Sequence, residues 1–155
     1  MLETFHTNDI VAIVVVVSSI VLLIYFAGKT LITSNFFQKG VNLYQQQDYE
    51  GAEAAFRKVI SLNSTNDMVR LLLGDVLKEQ GKVEEGQEWF EDVIQRSPKN
   101  PQAYLRLANL MMQQEQKEAV KTNLQIARDL LQKQRQPEKA EKITSILDKM
   151  NAKSN

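Results

Sequence analysis

Residues 33–66 read TSNFFQKGVNLYQQQDYEGAEAAFRKVISLNSTN, and residues 67–100 read DMVRLLLGDVLKEQGKVEEGQEWFEDVIQRSPKN. Laid one above the other, the two segments agree at fixed places. Gly40 answers Gly74, Leu43 answers Leu77, Phe56 answers Phe90, Val59 answers Val93 and Ile60 answers Ile94. A 34-residue period of this kind predicts a helical repeat, each unit a helix–turn–helix that cannot bury its apolar face alone and stacks on its neighbours. In the first unit Phe36, Gly40 and Leu43 share one helix face. Gln47–Gly51 makes the turn, and Ala52, Phe56, Val59 and Ile60 form the stripe of the second helix. Asn63-Ser64-Thr65-Asn66 closes one helix and opens the next.

Working outward toward the C-terminus, a third unit over 101–134 starts in register with Ala103, Tyr104, Leu107, Ala108 and Met111. Its turn departs from the first two units: Glu115 stands where the second has Gly81, and Val120 where they have Ala52 and Gly86. Register resumes at Leu124 and Ala127, as expected of a degenerate terminal repeat. Pro137 suits the first turn of a new helix. Ala140, Ile143, Leu147 and Met150 then give a charged helix one apolar stripe, the design of a cap over 137–150, followed by a frayed tail at 151–155.

Toward the N-terminus, residues 10–28 (IVAIVVVVSSIVLLIYFAG) carry no charge and are long enough to cross a bilayer. The hydroxyls of Ser18 and Ser19 can bond back to the preceding turn. The short tail 1–9 has Glu3 and Asp9 but no Lys or Arg, which argues against a cleaved signal and for an anchor. Lys29 and Lys39 follow the span, so the positive-inside rule puts the repeats on the cytoplasmic side. Residues 29–32 read as a linker, short enough for the two helices to run on with only a kink.

Composition excludes several classes. The formal net charge is zero, against nucleic acid as the main partner. There is no cysteine and one histidine, His6, so thiol nucleophiles, Cys metal sites and familiar nucleophile–base pairs are unavailable. No catalytic, cofactor or metal residue is assigned. Glu84, Glu85, Glu88, Glu91 and Asp92 read as a solvated helix face. Trp89 reads first as packing between repeats and second as an anchor for a partner. The charge is uneven, with the middle repeat acidic and the chain from Lys117 onward basic.

The repeats resemble the tetratricopeptide (TPR) family through these residues. The resemblance implies an all-α, right-handed solenoid of three repeats (33–66, 67–100, 101–134) with a capping helix, acting as a scaffold and not as an enzyme. In the family register a groove for a protein partner is lined by Phe37, Val41, Tyr44, Leu71, Leu72, Asp75, Leu105, Arg106, Asn109 and Met112. Members that grip acidic chaperone tails use Lys and Asn where this chain has Phe37, Val41, Leu71 and Asp75, so that activity is not expected. Gln46–Ile60 and Leu72–Asp75, with one N-terminal span, are similar to the membrane-anchored photosystem I assembly factors of cyanobacteria and plastids. That resemblance implies a thylakoid protein with stromal or cytoplasmic repeats. A bacterial inner-membrane TPR adaptor for envelope or cytochrome biogenesis, its repeats in the periplasm, remains the alternative.

Overall fold

The computed structural model describes residues 7–152, so His6 and the last three residues of the tail lie outside the described residues. Among the described residues seven helices follow one another: α1 (Thr7–Gln45), α2 (Tyr49–Leu62), α3 (Asp67–Glu79), α4 (Val83–Arg96), α5 (Pro101–Gln113), α6 (Lys117–Lys133) and α7 (Pro137–Ala152). Each packs on the next, and α3 also touches α5, which makes an antiparallel α-solenoid. The second half of α1 pairs with α2, α3 with α4 and α5 with α6, and α7 closes the stack.

The helix ends obey local chemistry. Asp48, Asn66 and Asn100 cap α2, α3 and α5, accepting hydrogen bonds from the backbone N–H of Gly51, Val69 and Gln102. Pro101 occupies the first turn of α5. Helices α1, α3, α5 and α6 all stop on a residue with left-handed backbone: Gln47, Gly81, Glu115 and Arg135. The residue after each donates to a carbonyl five back, as Asp48 does to Leu43 at 2.9 Å and Gln116 to Met111 at 3.0 Å. The third repeat therefore closes with the same turn as the others although Glu115 replaces glycine. The cost is the strain of an L residue at φ 60°.

Three apolar layers hold the stack. Phe56, Val59, Leu73 and Leu77 form the first, Leu71, Phe90, Val93 and Leu110 the second. The third joins Val120, Leu124 and Leu131 of α6 to Ala140, Ile143 and Leu147 of α7. Ion pairs stitch the outer surface across repeats. Glu53 accepts from Arg57 (2.8 Å) and from Lys82 of the next repeat (2.9 Å), and Arg57 also pairs with Glu85.

Burial pushes the Glu53 carboxyl up, but hydrogen bonds from Lys82, Arg57 and Gln80 more than offset this and hold it at about 2. An unfolded-chain glutamate titrates at about 4.3. The folded value is the lower one, so this group's stabilisation is complete above about pH 4.5 and disappears as pH falls toward 2. Glu53→Gln is therefore expected to lower the urea midpoint at pH 7, with the gap from wild type closing over that acid range. A gap of constant size down to pH 2 would mean that the carboxylate contributes nothing through its charge.

The stretch 29–32 corrects the sequence reading. It is no linker but an internal part of α1. Lys29-Thr30-Leu31-Ile32 holds no Gly or Pro to break the helix. The Thr30 hydroxyl donates to the Phe26 carbonyl (2.8 Å) and the Thr33 hydroxyl to that of Lys29 (2.7 Å), so both polar groups are satisfied inside the helix. Ser18 and Ser19 both donate to the Val15 carbonyl in the same way. A 39-residue rod results, about 58 Å long at 1.5 Å per residue. It is the one helix among the described residues long and apolar enough to cross a membrane, and its side chains from Ile10 to Phe26 are exposed.

Candidate functional site: the concave face

The first helices of the repeats, α1, α3 and α5, line one face of the stack. At its middle Arg106 Nε donates to Asp75 Oδ2 at 2.7 Å, an ion pair between repeats two and three. Burial holds the Asp75 carboxyl above its usual range in spite of Arg106 and Lys78. Tyr44, from repeat one, lies beside Tyr49 with ring centroids 5.9 Å apart and the rings tilted at 55°. Burial and then the charges of Asp75 and Glu79 raise its phenol. Tyr44, Asp75 and Arg106 thus form one polar centre drawn from three repeats. Only the Nε of Arg106 bonds to Asp75, so among the described residues the outer guanidinium nitrogens remain free to bond a partner's carbonyl or carboxylate.

Around this centre Val41 and Leu72 are half-buried against the first apolar layer, and Leu105 is half-buried against the third. Asn109 is exposed, and Met112, half exposed at 50%, offers a flexible apolar contact next to it. Leu71 is a correction. It was expected in the groove but is 1% exposed and belongs to the second layer with Phe90, Val93 and Leu107. One step along a helix turns the side chain by about 100°, enough to place Leu71 inside while Leu72 reaches the surface. Phe37 is also turned away from the polar centre. Its ring lies 6.4 Å from that of Phe56 and borders a crevice between α1 and the α2–α3 turn.

Outside the groove, Trp89 packs against the first layer with the Arg70 guanidinium 5.4 Å from its ring. Arg70 in turn holds Asp92 at 2.7 Å and the Ser64 carbonyl at 2.8 Å. Two members of the acidic run are engaged with bases of other helices, Asp92 with Arg70 and Glu85 with Arg57. Among the described residues no group of three or more His, Cys, Asp or Glu could hold a metal ion. The inter-repeat ion pairs were invisible to sequence reading, because partners 31 residues apart carry no local signal.

Fold and groove together define an α-solenoid with a concave, mixed polar and apolar face, the architecture of a scaffold for other proteins. The chain belongs to the tetratricopeptide repeat family, whose model matches residues 37–101 and 71–122. Solved structures agree in fold. The chain is similar to SycD, the type III secretion chaperone of Yersinia enterocolitica in complex with a peptide of the translocator YopD. There it shows 20% identity and a TM-score of 0.68 over 79% of this chain and 94% of that one. It is similar to PcrH from Pseudomonas aeruginosa, at 18% identity and a TM-score of 0.69 over 77% and 91% of the two chains. It is also similar to the TPR2B domain of yeast Sti1 in its pHsp70 complex, at 15% identity and a TM-score of 0.70 over 79% and 98%. No curated protein matches the sequence significantly.

Proposed function

We propose that this chain is a membrane-anchored, non-enzymatic scaffold that holds a helix or extended peptide of a membrane-complex subunit in its concave groove, and that the complex is photosystem I. The observation that carries the reading is the continuity of α1. One unbroken helix is an apolar segment of spanning length at its start and the first wall of the groove at its end. A partner emerging from the bilayer would meet a groove fixed at the surface, at a high effective concentration. The exposed Met112 and the free donors of Arg106 suit a segment with apolar side chains and available backbone carbonyls. SycD and PcrH support the mode, since SycD has been solved with a peptide of the translocator YopD and PcrH with the chaperone binding region of PopD. The photosystem I assignment rests on the resemblance of Gln46–Ile60 and Leu72–Asp75, and the cytoplasmic or stromal side on Lys29 and Lys39.

Deletion of the chain is expected to lower photosystem I accumulation and leave photosystem II intact. A chain carrying Asn109→Glu and Met112→Glu, both exposed positions, should accumulate normally yet fail to restore photosystem I. Unchanged photosystem I in the deletion strain would remove the photosystem assignment. Full rescue by the double variant would remove the groove.

A further inference from the structure

The polarity of α1 sets the polarity of the whole stack. Because α1 runs from its apolar segment into repeat one, α2 returns toward that segment. Leu62 and Asn63, at the end of α2, line a crevice of about 460 Å³ with Phe26, Lys29 and Thr33 of α1. The α2–α3 turn therefore sits beside Lys29, and the other two inter-repeat turns share its edge. The Arg96 guanidinium donates to the Ser64 carbonyl at 2.9 Å, Ser97 donates to Asp67, and the Gln134 amide donates to the Lys99 carbonyl at 2.7 Å. The intra-repeat turns lie on the opposite edge, the first two tied by the Gln80 amide donating to the Tyr49 carbonyl.

The two edges differ in charge. Residues 62–68, 96–102 and 133–138 hold four bases (Arg96, Lys99, Lys133, Arg135) against two acids (Asp67, Glu138). The equivalent stretches of the opposite edge, 45–50, 79–84 and 113–118, hold six acids against Lys82 and Lys117. Helix dipoles account for part of this, since Glu50, Glu84 and Glu118 lie in first turns and Arg96 and Lys133 in last turns. They do not account for Lys99 and Arg135, which stand in the turns themselves. Among the described residues Lys29, Lys99, Lys133 and Arg135 make no ion pair with a carboxylate, whereas Lys82 on the opposite edge is neutralised by Glu53.

We infer that the edge formed by the inter-repeat turns is a lipid-facing surface that takes the headgroups of anionic phospholipids. Lys29 and its crevice form the seat next to the span, and Lys99, Lys133 and Arg135 extend it along the stack. The inference rests on the reading that α1 crosses the bilayer. Given that reading, Lys29 follows the span directly and stands at headgroup depth. The crevice joins an apolar floor of Phe26, Phe37 and Leu62 to a polar rim of Lys29, Thr33 and Asn63, matching a molecule with both an acyl and an anionic end. Unpaired bases near an anionic surface attract it, each worth roughly fivefold in association, while the acidic edge is repelled. The stack would then lie with its repeats side by side over the membrane and not lean away from it.

The full chain can be reconstituted in phosphatidylcholine vesicles with and without phosphatidylglycerol, then floated and probed with spin-labelled lipids. Flotation with both vesicle types, together with several-fold selection of phosphatidylglycerol over phosphatidylcholine, is expected. Lys29→Gln, Lys99→Gln, Lys133→Gln and Arg135→Gln combined should bring that selection close to unity, and Lys117→Gln on the opposite edge should leave it unchanged. Flotation with both but no selection, or selection that survives the fourfold variant, overturns the lipid-facing edge and spares the span. Flotation only with phosphatidylglycerol overturns the span and spares the edge. Flotation with neither overturns both.

Discussion

Phe90→Ala is expected to cost about 3–5 kcal/mol of unfolding free energy, the range for emptying a fully buried aromatic site. Phe90 is 1% exposed and sits in the second layer, packed with Leu71, Val93, Leu107 and Leu110 of α3, α4 and α5. Its partner is an absence of side chain. A Cβ on Gly74 would lie 2.4 Å from Phe90 Cε1 and 3.0 Å from the Gly86 carbonyl oxygen, so Gly74→Ala drives a methyl into a ring that cannot swing aside. Overpacking of this kind costs about 1–3 kcal/mol. The two changes are expected to be strongly non-additive. With the ring removed, Gly74→Ala meets little beyond the Gly86 carbonyl and recovers most of the roughly 1 kcal/mol that alanine gains over glycine in a helix. Urea unfolding of wild type, both single variants and the double variant in mild detergent measures the coupling. Simple addition of the two losses would mean that the ring and the glycine do not share one contact. Gly40 and Phe56 repeat the arrangement, with the corresponding approach at 2.6 Å, while Gly28 has nothing within 4 Å and serves as a control in which alanine meets no ring.

That glycine–ring contact is also why the repeat was legible at all. The approach of two helices leaves no freedom at Gly40, Gly74, Phe56 or Phe90, so these residues recur at the structural period. The cap at Asn66 was equally readable in the run Asn63–Asn66, because it makes its bond within three residues. Three features were not. The choice between Leu71 and Leu72 depends on how far each helix is rotated in the stack, and two adjacent leucines give no periodic signal to decide it. The Asp75–Arg106 pair joins separate repeats. Glu115 and Arg135 adopt a backbone conformation for which their side chains give no warning, and the turn forms because the flanking layers fix both helices. The continuity of α1 was legible in part: residues 29–32 hold no helix breaker, and two helices running on through a short linker were expected where one 39-residue helix stands.

The family and the cap make a further demand on the C-terminal end. Ending the chain after Gln136 should strip α6 of its outer cover and leave Val120, Leu124 and Leu131 against water. All three are now at most 5% exposed within the layer that α7 completes. Ile143 and Leu147 alone supply about 1.5–3 kcal/mol each when fully buried. In a solenoid each repeat draws stability from its neighbours, so the loss falls first on the third repeat and reaches the others through the contacts of α5 with α4 and α3. Backbone amides of α5 and α6 are therefore expected to lose hydrogen-exchange protection by several orders of magnitude in the truncated chain, while those of α2 and α3 change by tenfold or less. The same truncation removes support from Arg106, Asn109 and Met112, all on α5, so partner binding in the groove should weaken although no groove residue has been altered. Unchanged protection of α5 and α6 would show that α7 is an appendage and that the third repeat holds its own fold. Loss that spreads evenly to α2 would show the stack to be a single cooperative unit, with its groove stabilised as a whole and not repeat by repeat.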